Sequence, residues 1–206
     1  MITSLNPATE EILGTFKEMK FEKVAKLISK AHKSFYHWKS VPASYRTKKL
    51  LSLAKLLDKK KGLCSQTISK EMGKPIKQSI AEIEKCILLC NYYAENAETF
   101  LQPEQIKTEA AKSYVIYEPL GVILGIMPWN FPFWQVFRFA IPVLTAGNVC
   151  IVKHSTKVPL CSMLIEKLFK KAGFPGHVYT NLLINSDIIQ EIIENPYIQG
   201  VSLTGS

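Results

Sequence analysis

The sequence predicts an α/β protein in which N-terminal helices precede part of a Rossmann-like, mostly parallel sheet. Up to about residue 102, apolar side chains recur at the i, i+3, i+4 spacing of amphipathic helices. From Gly121 onward, short β-branched runs alternate with helical stretches. Such alternation is typical of β-α-β units, whose strands lie parallel and are joined by right-handed crossovers.

Four helices are predicted in the first 102 residues. They cover residues 21–38, a leucine-rich stretch that ends at Gly62, a short segment through Glu71, and residues 76–99. The last two are separated at residues 73–75 (GKP), because glycine ends helices and proline cannot continue one. Ahead of all four, residues 6–9 (NPAT) predict a turn.

The strands are predicted in the second half of the chain. Residues 112–118 are β-branched and aromatic, which predicts an extended strand. Further strands are predicted at residues 122–126, 149–153, 178–184 and 199–203, with helices between them at residues 132–145, 160–172 and 187–194. The chain therefore divides into three parts, residues 1–102, 103–118 and 119–206.

The composition is that of a soluble globular protein. With 206 residues, 47% hydrophobic and 21% charged, the chain can form one large domain or two small ones. Residues 1–16 lack a basic start followed by an apolar run, so a cytoplasmic location is expected. The uncharged stretch at residues 119–137 contains three prolines as well as Asn130 and Gln135, so it is predicted to be buried rather than to span a membrane.

The net charge of +9 allows two interpretations. A basic excess between residues 17 and 85 is compatible with binding to nucleic acid or to an acidic membrane surface. The lysines, however, alternate with apolar positions at helical spacing, and no row of aromatic residues accompanies them. Solvated faces of amphipathic helices are the favoured explanation, so neither a nucleic acid nor a membrane partner is expected.

The cysteines and histidines do not predict a metal site. Five cysteines, an odd number, indicate free thiols. Cys86 and Cys90 share one helix face, which is compatible with half a metal site or with core packing. Core packing is favoured, because no histidine or second cysteine pair stands nearby in the sequence and the four histidines show no ligand spacing.

Chemistry is expected at one edge of the predicted sheet. Ligands of doubly wound sheets bind beyond the carboxyl ends of the strands. Residues 127–132, 153–156 and 204–206 lie there, and they bring a Trp-Asn pair between prolines, a lysine and a Gly-Ser turn to one rim. The glycine-rich GxGxxG fingerprint of dinucleotide-binding folds does not occur in the sequence. The residues alone therefore predict an α/β nucleotide or phosphate binder.

Several blocks of the sequence resemble the aldehyde dehydrogenase superfamily, collinearly from about residue 5 onward. They are NPAT at 6–9, EMGKP at 71–75, EPLGV at 118–122, IMPWNFP at 126–132, AGN at 146–148, Lys153 and TGS at 204–206. The PWNFP block is highly specific. Three blocks resemble the bacterial succinate-semialdehyde dehydrogenases most: EMGKP, YYAE at 92–95 and NFPFWQVFR at 130–138.

This resemblance implies a role for each part of the chain. Residues 1–102 correspond to the helical part of a cofactor-binding domain, and residues 119–206 to an incomplete β-α-β part of it. Residues 103–118 resemble the family's oligomerisation hairpin, so a homo-oligomer is expected for the full-length family member. NADP or NAD is the implied cofactor, and a small, carboxylate-bearing aldehyde is the implied substrate.

The resemblance also implies the cofactor-binding residues. They are Met127, Trp129, Asn130, Lys153, His154, Ser155, Thr156, Gly205 and Ser206. Lys153 matches the lysine that contacts the adenosine ribose, and the Gly-Ser turn matches the start of a helix that faces the pyrophosphate. Thr156 stands where many NAD-specific relatives carry a glutamate that would repel a 2′-phosphate, so NADP is expected to be accepted, alone or beside NAD. His154 and Ser155 replace commoner family residues.

Two more residues receive roles from the resemblance. Asn130 matches the asparagine whose amide donates to the oxyanion formed when a cysteine attacks the aldehyde. Arg138 matches the arginine that binds the distal carboxylate in succinate-semialdehyde dehydrogenases, with a structural ion pair as the alternative. The family's nucleophilic cysteine and general-base glutamate match no residue here. The chain is therefore expected to be the N-terminal portion of such an enzyme, without turnover of its own, or else an inactive cofactor-binding or interaction module.

Overall fold

The structure, a computed structural model, describes residues 1–205 and forms seven helices and eight strands within them. The first part holds a β-hairpin followed by four helices. Its elements are β1 (Ile2–Leu5), β2 (Ile12–Phe16), α1 (Phe21–Ser40), α2 (Ala43–Lys59), α3 (Lys61–Met72) and α4 (Ile76–Leu101). Four helices were expected and four are present, but α2 ends at Lys59 and Gly62 lies inside α3 rather than at a helix end.

The antiparallel pairing of β1 with β2 goes beyond the predicted turn at residues 6–9. Asn6 closes that turn, because its Oδ1 accepts the N–H of Ala8 at 3.0 Å. The hairpin is anchored through Ser4, whose hydroxyl donates to Oε1 of Glu71 at 2.6 Å. The N-terminal strand is thus tied to the end of α3.

The predicted break at residues 73–75 follows from the backbone of Gly73. Its φ of +86° is left-handed, a conformation that glycine adopts readily and that commonly ends helices. A Cβ at this position would also lie 2.7 Å from Cγ of Pro7. A side chain at position 73 would therefore force the N-terminal turn to shift away from the end of α3.

A second, much smaller hairpin follows α4. β3 (Glu104–Gln105) pairs antiparallel with β4 (Tyr114–Val115). The extended strand predicted over residues 112–118 is therefore wrong in extent, since only two of its residues pair. The side chains of residues 114–117 are exposed, so within residues 1–205 they pack on no core that would hold a longer strand in place.

Four parallel strands form the main sheet. They are β5 (Val122–Met127), β6 (Val149–His154), β7 (Tyr179–Leu182) and β8 (Ile198–Leu203), connected by α5 (Trp134–Thr145), α6 (Pro159–Lys171) and α7 (Ile189–Ile193). The strand order is β7-β6-β5-β8, and every pairing is parallel, which confirms the predicted α/β sheet. The chain winds outward from β5 through β6 to β7 and then returns to the other side of β5. This reversal makes a crevice at the carboxyl ends of β5 and β8, where ligands of such sheets bind.

The core lies between this sheet and the helices. All six residues of β6 are buried. α1 packs on β5, β6 and β7, α5 packs on β5 and β6, and α4 covers α5. Trp38 of α1 is fully buried, and its Nε1 donates to the carbonyl of Leu144 at 3.0 Å, which ties α1 to the end of α5.

The uncharged stretch at residues 119–137 forms β5, the loop after it and the first turn of α5. Apart from the exposed segment at residues 129–131, its residues from Gly121 onward are buried or half-buried. Within residues 1–205, none of the helices combines the length and the apolar composition that crossing a membrane requires.

Candidate functional site

A cleft of about 620 Å³ opens at the carboxyl edge of the main sheet. The three segments expected there from the sequence all contribute to its wall. Seven of the nine predicted cofactor-binding residues line it: Met127, Trp129, Asn130, Lys153, Ser155, Thr156 and Gly205. Ser206 lies outside the residues that the structure describes, and His154 is placed elsewhere.

The register of the strands explains why these segments meet. Met127 at the end of β5 pairs with His154 at the end of β6, and Ile126 pairs with Leu203 at the end of β8. The N–H of Thr204 continues this ladder by donating to the carbonyl of Ile126 at 3.0 Å. Because parallel strands end at the same level, the loops that follow them form one rim.

Lys153 brings a positive charge into this rim. Its side chain is largely buried, and its Nζ donates to Oγ of Ser186 at 3.2 Å. Burial lowers the pKa of its ammonium, and the nearby carboxylate of Asp187 partly opposes that effect. No carboxylate within residues 1–205 comes within 4.0 Å of this ammonium. The side chain is therefore available to an anionic or hydroxyl-bearing ligand.

The rest of the described wall strengthens this charge. Lys157 lines the cleft as well, and among the described lining residues there is no aspartate or glutamate. Thr156 contributes a neutral hydroxyl to the wall. The wall formed by residues 1–205 is thus cationic, which favours a ligand that carries phosphate.

His154 lies beneath the cleft rather than in its wall. It is 3% exposed, and burial lowers the pKa of its imidazole to about 4. Its Nδ1 accepts the N–H of Ser155 at 2.8 Å, so Nε2 carries the proton and donates to the carbonyl of Pro132 at 2.7 Å. His154 therefore joins the end of β6 to the loop after β5.

Asn130 sits in that loop, between Pro128 and Pro132, and its side chain is exposed. Its Oδ1 accepts the N–H of Phe131 at 3.1 Å. Within the described chain, no acceptor takes the N–H groups of its Nδ2. The amide is thus oriented with its donor group free at the edge of the cleft.

Arg138 lies on α5 at the rim and does not line the cleft itself. Its Nη2 donates to Oγ1 of Thr204, a lining residue, at 3.3 Å. The side chain is exposed, and no carboxylate of residues 1–205 lies within 4.0 Å of it. The alternative of a structural ion pair therefore has no support in the described part of the chain.

The five cysteines are all buried and carry free thiols. Burial raises the pKa of the Cys64 thiol to about 12 and raises the pKa values of the other four as well. Because the thiolate is the attacking species, none of these side chains is an activated nucleophile. Cys86 and Cys90 belong to the core, as the sequence predicts. No group of three metal-ligating side chains occurs among residues 1–205.

Five lining residues fall outside the segments expected from the sequence: Ile126 and Leu203 at the ends of β5 and β8, and Gln135, Lys157 and Ser186. Ser186 follows the predicted strand at residues 178–184. It could therefore have been expected in the cleft, since ligands bind beyond the carboxyl ends of parallel strands. Lys157 lies in the turn after β6, one residue beyond the expected segment at residues 153–156, so the same rule could have included it. Gln135 carries no comparable sequence signal, because which face of the first turn of α5 meets the sheet edge depends on how the helix packs.

Comparison with known proteins decides the family. The aldehyde dehydrogenase family model matches residues 1–206. The chain belongs to the aldehyde dehydrogenase family. This membership confirms the resemblance that rests on the PWNFP block and the motifs collinear with it.

Individual relatives carry names that agree with this family. A protein of Synechocystis sp., named probable succinate-semialdehyde dehydrogenase (NADP+), is 42% identical over 205 residues, which are 100% of this chain and 45% of that protein. The succinate semialdehyde dehydrogenase Sad of Escherichia coli, with NAD(P)+ in its name, is 39% identical over 98% of this chain and 44% of its own length. The chain thus spans less than half the length of these curated relatives.

Solved structures agree with the fold. The succinic semialdehyde dehydrogenase of Streptococcus pyogenes, determined in complex with NADP+, superimposes with a TM-score of 0.97 at 30% identity. The match covers 100% of this chain and 46% of that structure. The aldehyde dehydrogenase architecture of the described residues is therefore established.

Proposed function

We propose that the cleft binds the adenosine ribose and the phosphates of NADP, and that NAD is a second cofactor. The observation that supports this most is the joint presence of Lys153, Lys157 and Thr156 in a wall whose described residues include no acid. At an effective dielectric constant of about 20, a carboxylate about 6 Å from one phosphate charge would cost about 3 kcal/mol. Because Thr156 is uncharged, it does not repel the 2′-phosphate in this way.

The described residues fit such a cofactor. The ammonium of Lys153 donates to Ser186 and has no carboxylate partner within residues 1–205, and Gly205 lines the same cleft after the end of β8. Met127 and Trp129 provide apolar wall on the opposite loop. Bound NADP would supply the hydride acceptor of an aldehyde oxidation, as the names of the relatives indicate for those proteins.

We further propose that succinate semialdehyde is the substrate and succinate the product. The Nδ2 group of Asn130 would donate to the oxyanion that forms on the aldehyde carbon, and one such donor contributes about 3 kcal/mol to typical reactions. The guanidinium of Arg138, exposed and without a carboxylate partner in residues 1–205, would bind the distal carboxylate in a forked geometry. Relatives with names of this substrate class support the assignment.

The covalent step is assigned to residues that this chain does not match. The family's cysteine and glutamate have no counterpart here, and the five cysteines of the chain are buried with raised pKa values. The 206-residue chain by itself is therefore proposed to have no turnover. Its contribution to the enzyme would be cofactor binding, the oxyanion donor and the carboxylate anchor.

An NADP-coupled oxidation assay tests this function. The protein that carries this sequence should reduce NADP with succinate semialdehyde and act at least about tenfold less efficiently on an uncharged aldehyde of the same length. The 206-residue chain, expressed alone, should give no rate above the blank. Turnover by the chain alone would contradict the assignment of the covalent step. Cofactor binding without oxidation of any aldehyde by the protein would favour the inactive binding module instead.

A further inference from the structure

The N-terminus of α5 is held by a glutamate from another helix. Glu82 of α4 is 4% exposed, and its Oε1 accepts the N–H groups of Phe133 and Trp134 at 2.8 and 2.9 Å. α5 has no capping side chain of its own. The carboxylate therefore satisfies N–H groups that a helix start leaves without partners, and its charge favours the positive end of the helix dipole.

Lys74 balances this carboxylate in the interior. Its ammonium pairs with Oε2 of Glu82, and the two side chains are 5% and 1% exposed. The same ammonium lies over the ring of Phe131, 4.1 Å from the ring centroid. Because an unpaired charge at this depth is costly, the lysine and the glutamate depend on each other.

These contacts converge on the segment that follows Asn130. Phe131 is held through its ring and residues 133–134 through their N–H groups, while the carbonyl of Pro132 accepts from His154. Asn130 itself is exposed, and its only side-chain hydrogen bond within residues 1–205 is to its neighbour Phe131. The place of its amide therefore depends on how the following residues are anchored.

We propose that the buried Lys74–Glu82 pair positions the amide of Asn130. This inference rests on the proposed function, in which that amide donates to an oxyanion. Lys74 belongs to the EMGKP block at residues 71–75, so this block connects the end of α3 to the loop after β5. A misplacement of about 1 Å in a catalytic group can cost about a hundredfold in rate. Disturbing the pair should lower kcat far more than it weakens cofactor binding, because Lys153 and Thr156 come from β6 and the turn after it rather than from the loop of Asn130.

The test variant is Glu82→Gln in the protein that carries this sequence. Glutamine keeps the size and one acceptor oxygen, but it leaves the ammonium of Lys74 without a counter-charge. We expect kcat for succinate semialdehyde to fall about tenfold or more, while the dissociation constant for NADP stays within about twofold. The double variant K74M/E82Q removes both buried charges, so its kcat should be at least about threefold higher than that of Glu82→Gln.

Glu71→Gln is the matched control. Glu71 is also 4% exposed and also holds a helix start, since it accepts the N–H groups of Leu160 and Cys161 at 2.8 Å. It has no hydrogen bond or ion pair to the loop of Asn130. We expect Glu71→Gln to lower the melting temperature, although less than Glu82→Gln because it leaves no buried ammonium unpaired, while kcat stays within about twofold. Equal losses of kcat in both variants, or an unchanged kcat in Glu82→Gln, would overturn the proposal.

Amide hydrogen exchange separates a failure of this proposal from a failure of the proposed function. In Glu82→Gln, the N–H groups of residues 133–134 should exchange at least about tenfold faster, whereas those of residues 160–161 should keep their native rates. If the native protein oxidises no aldehyde, the proposed function fails, and the exchange pattern alone decides whether the pair anchors the loop. Native exchange rates at residues 133–134 in the variant would refute the anchoring whatever the activity.

Discussion

Mild acid should destabilise this protein through one histidine. His154 is buried in its neutral form, and burial lowers its pKa from 6.5 to about 4. The unfolded chain therefore binds one more proton than the folded chain between these two values, so stability is full above pH 6.5 and falls as the pH drops through this window. The lowered pKa contributes about 3 kcal/mol to the free energy of unfolding, of which about 2 kcal/mol is lost between pH 7 and pH 5.

Urea denaturation of the native protein and of His154→Gln at several pH values measures this effect. Glutamine does not titrate, so the difference in unfolding free energy between the two proteins should shrink by about 2 kcal/mol from pH 7 to pH 5. Burial also lowers the pKa of His177 and raises that of Glu71, but both groups titrate in either protein and cancel in the difference. A difference that stays constant with pH would refute the reasoning.

The remaining predictions concern the backbone, the thiols and the substrate. Gly73→Ala should lose about 2 kcal/mol in urea denaturation because of its left-handed φ and the contact with Pro7, whereas Gly62→Ala, where a Cβ meets open space, should gain up to about 1 kcal/mol; equal effects would contradict this. All five thiols should resist a disulfide reagent until the protein is denatured, and one that reacts quickly at neutral pH would be inconsistent with its burial. Arg138→Ala should lower kcat/KM for succinate semialdehyde at least about tenfold more than for an uncharged aldehyde, and equal losses would remove the carboxylate assignment.

Periodicity locates most of the elements because each of them buries one face. The i, i+3, i+4 stripes give the four N-terminal helices, and the β-branched runs give the four strands of the main sheet. The carboxyl-end rule then places the cleft, since it depends only on strand direction. Residues 112–118 show the limit of this reasoning. Their composition favours a strand, but the side chains of residues 114–117 are exposed, and among residues 112–118 only Tyr114–Val115 pair.

Contacts between distant segments could not be predicted in this way. Glu82 of α4 pairs with Lys74 and accepts the N–H groups of residues 133–134, about fifty positions further along the chain. No local sequence pattern predicts these contacts. His154 shows a second limit. Every residue of β6 is buried, so the strand lacks the polar and apolar alternation that would tell its two faces apart. Lys153 reaches the cleft, whereas its neighbour His154 turns to the interior.

Cofactor titration of the native protein and of two glutamate variants tests the proposed cleft most directly. The native protein should bind NADP at least as tightly as NAD. Thr156→Glu should weaken NADP about tenfold or more and change NAD by less than about threefold, because only the 2′-phosphate meets the new carboxylate. Thr108→Glu, which adds the same charge on the exposed hairpin loop, should change neither affinity. Binding of NAD about a hundredfold tighter than NADP by the native protein, or equal losses of NADP affinity in the two variants, would contradict the proposal.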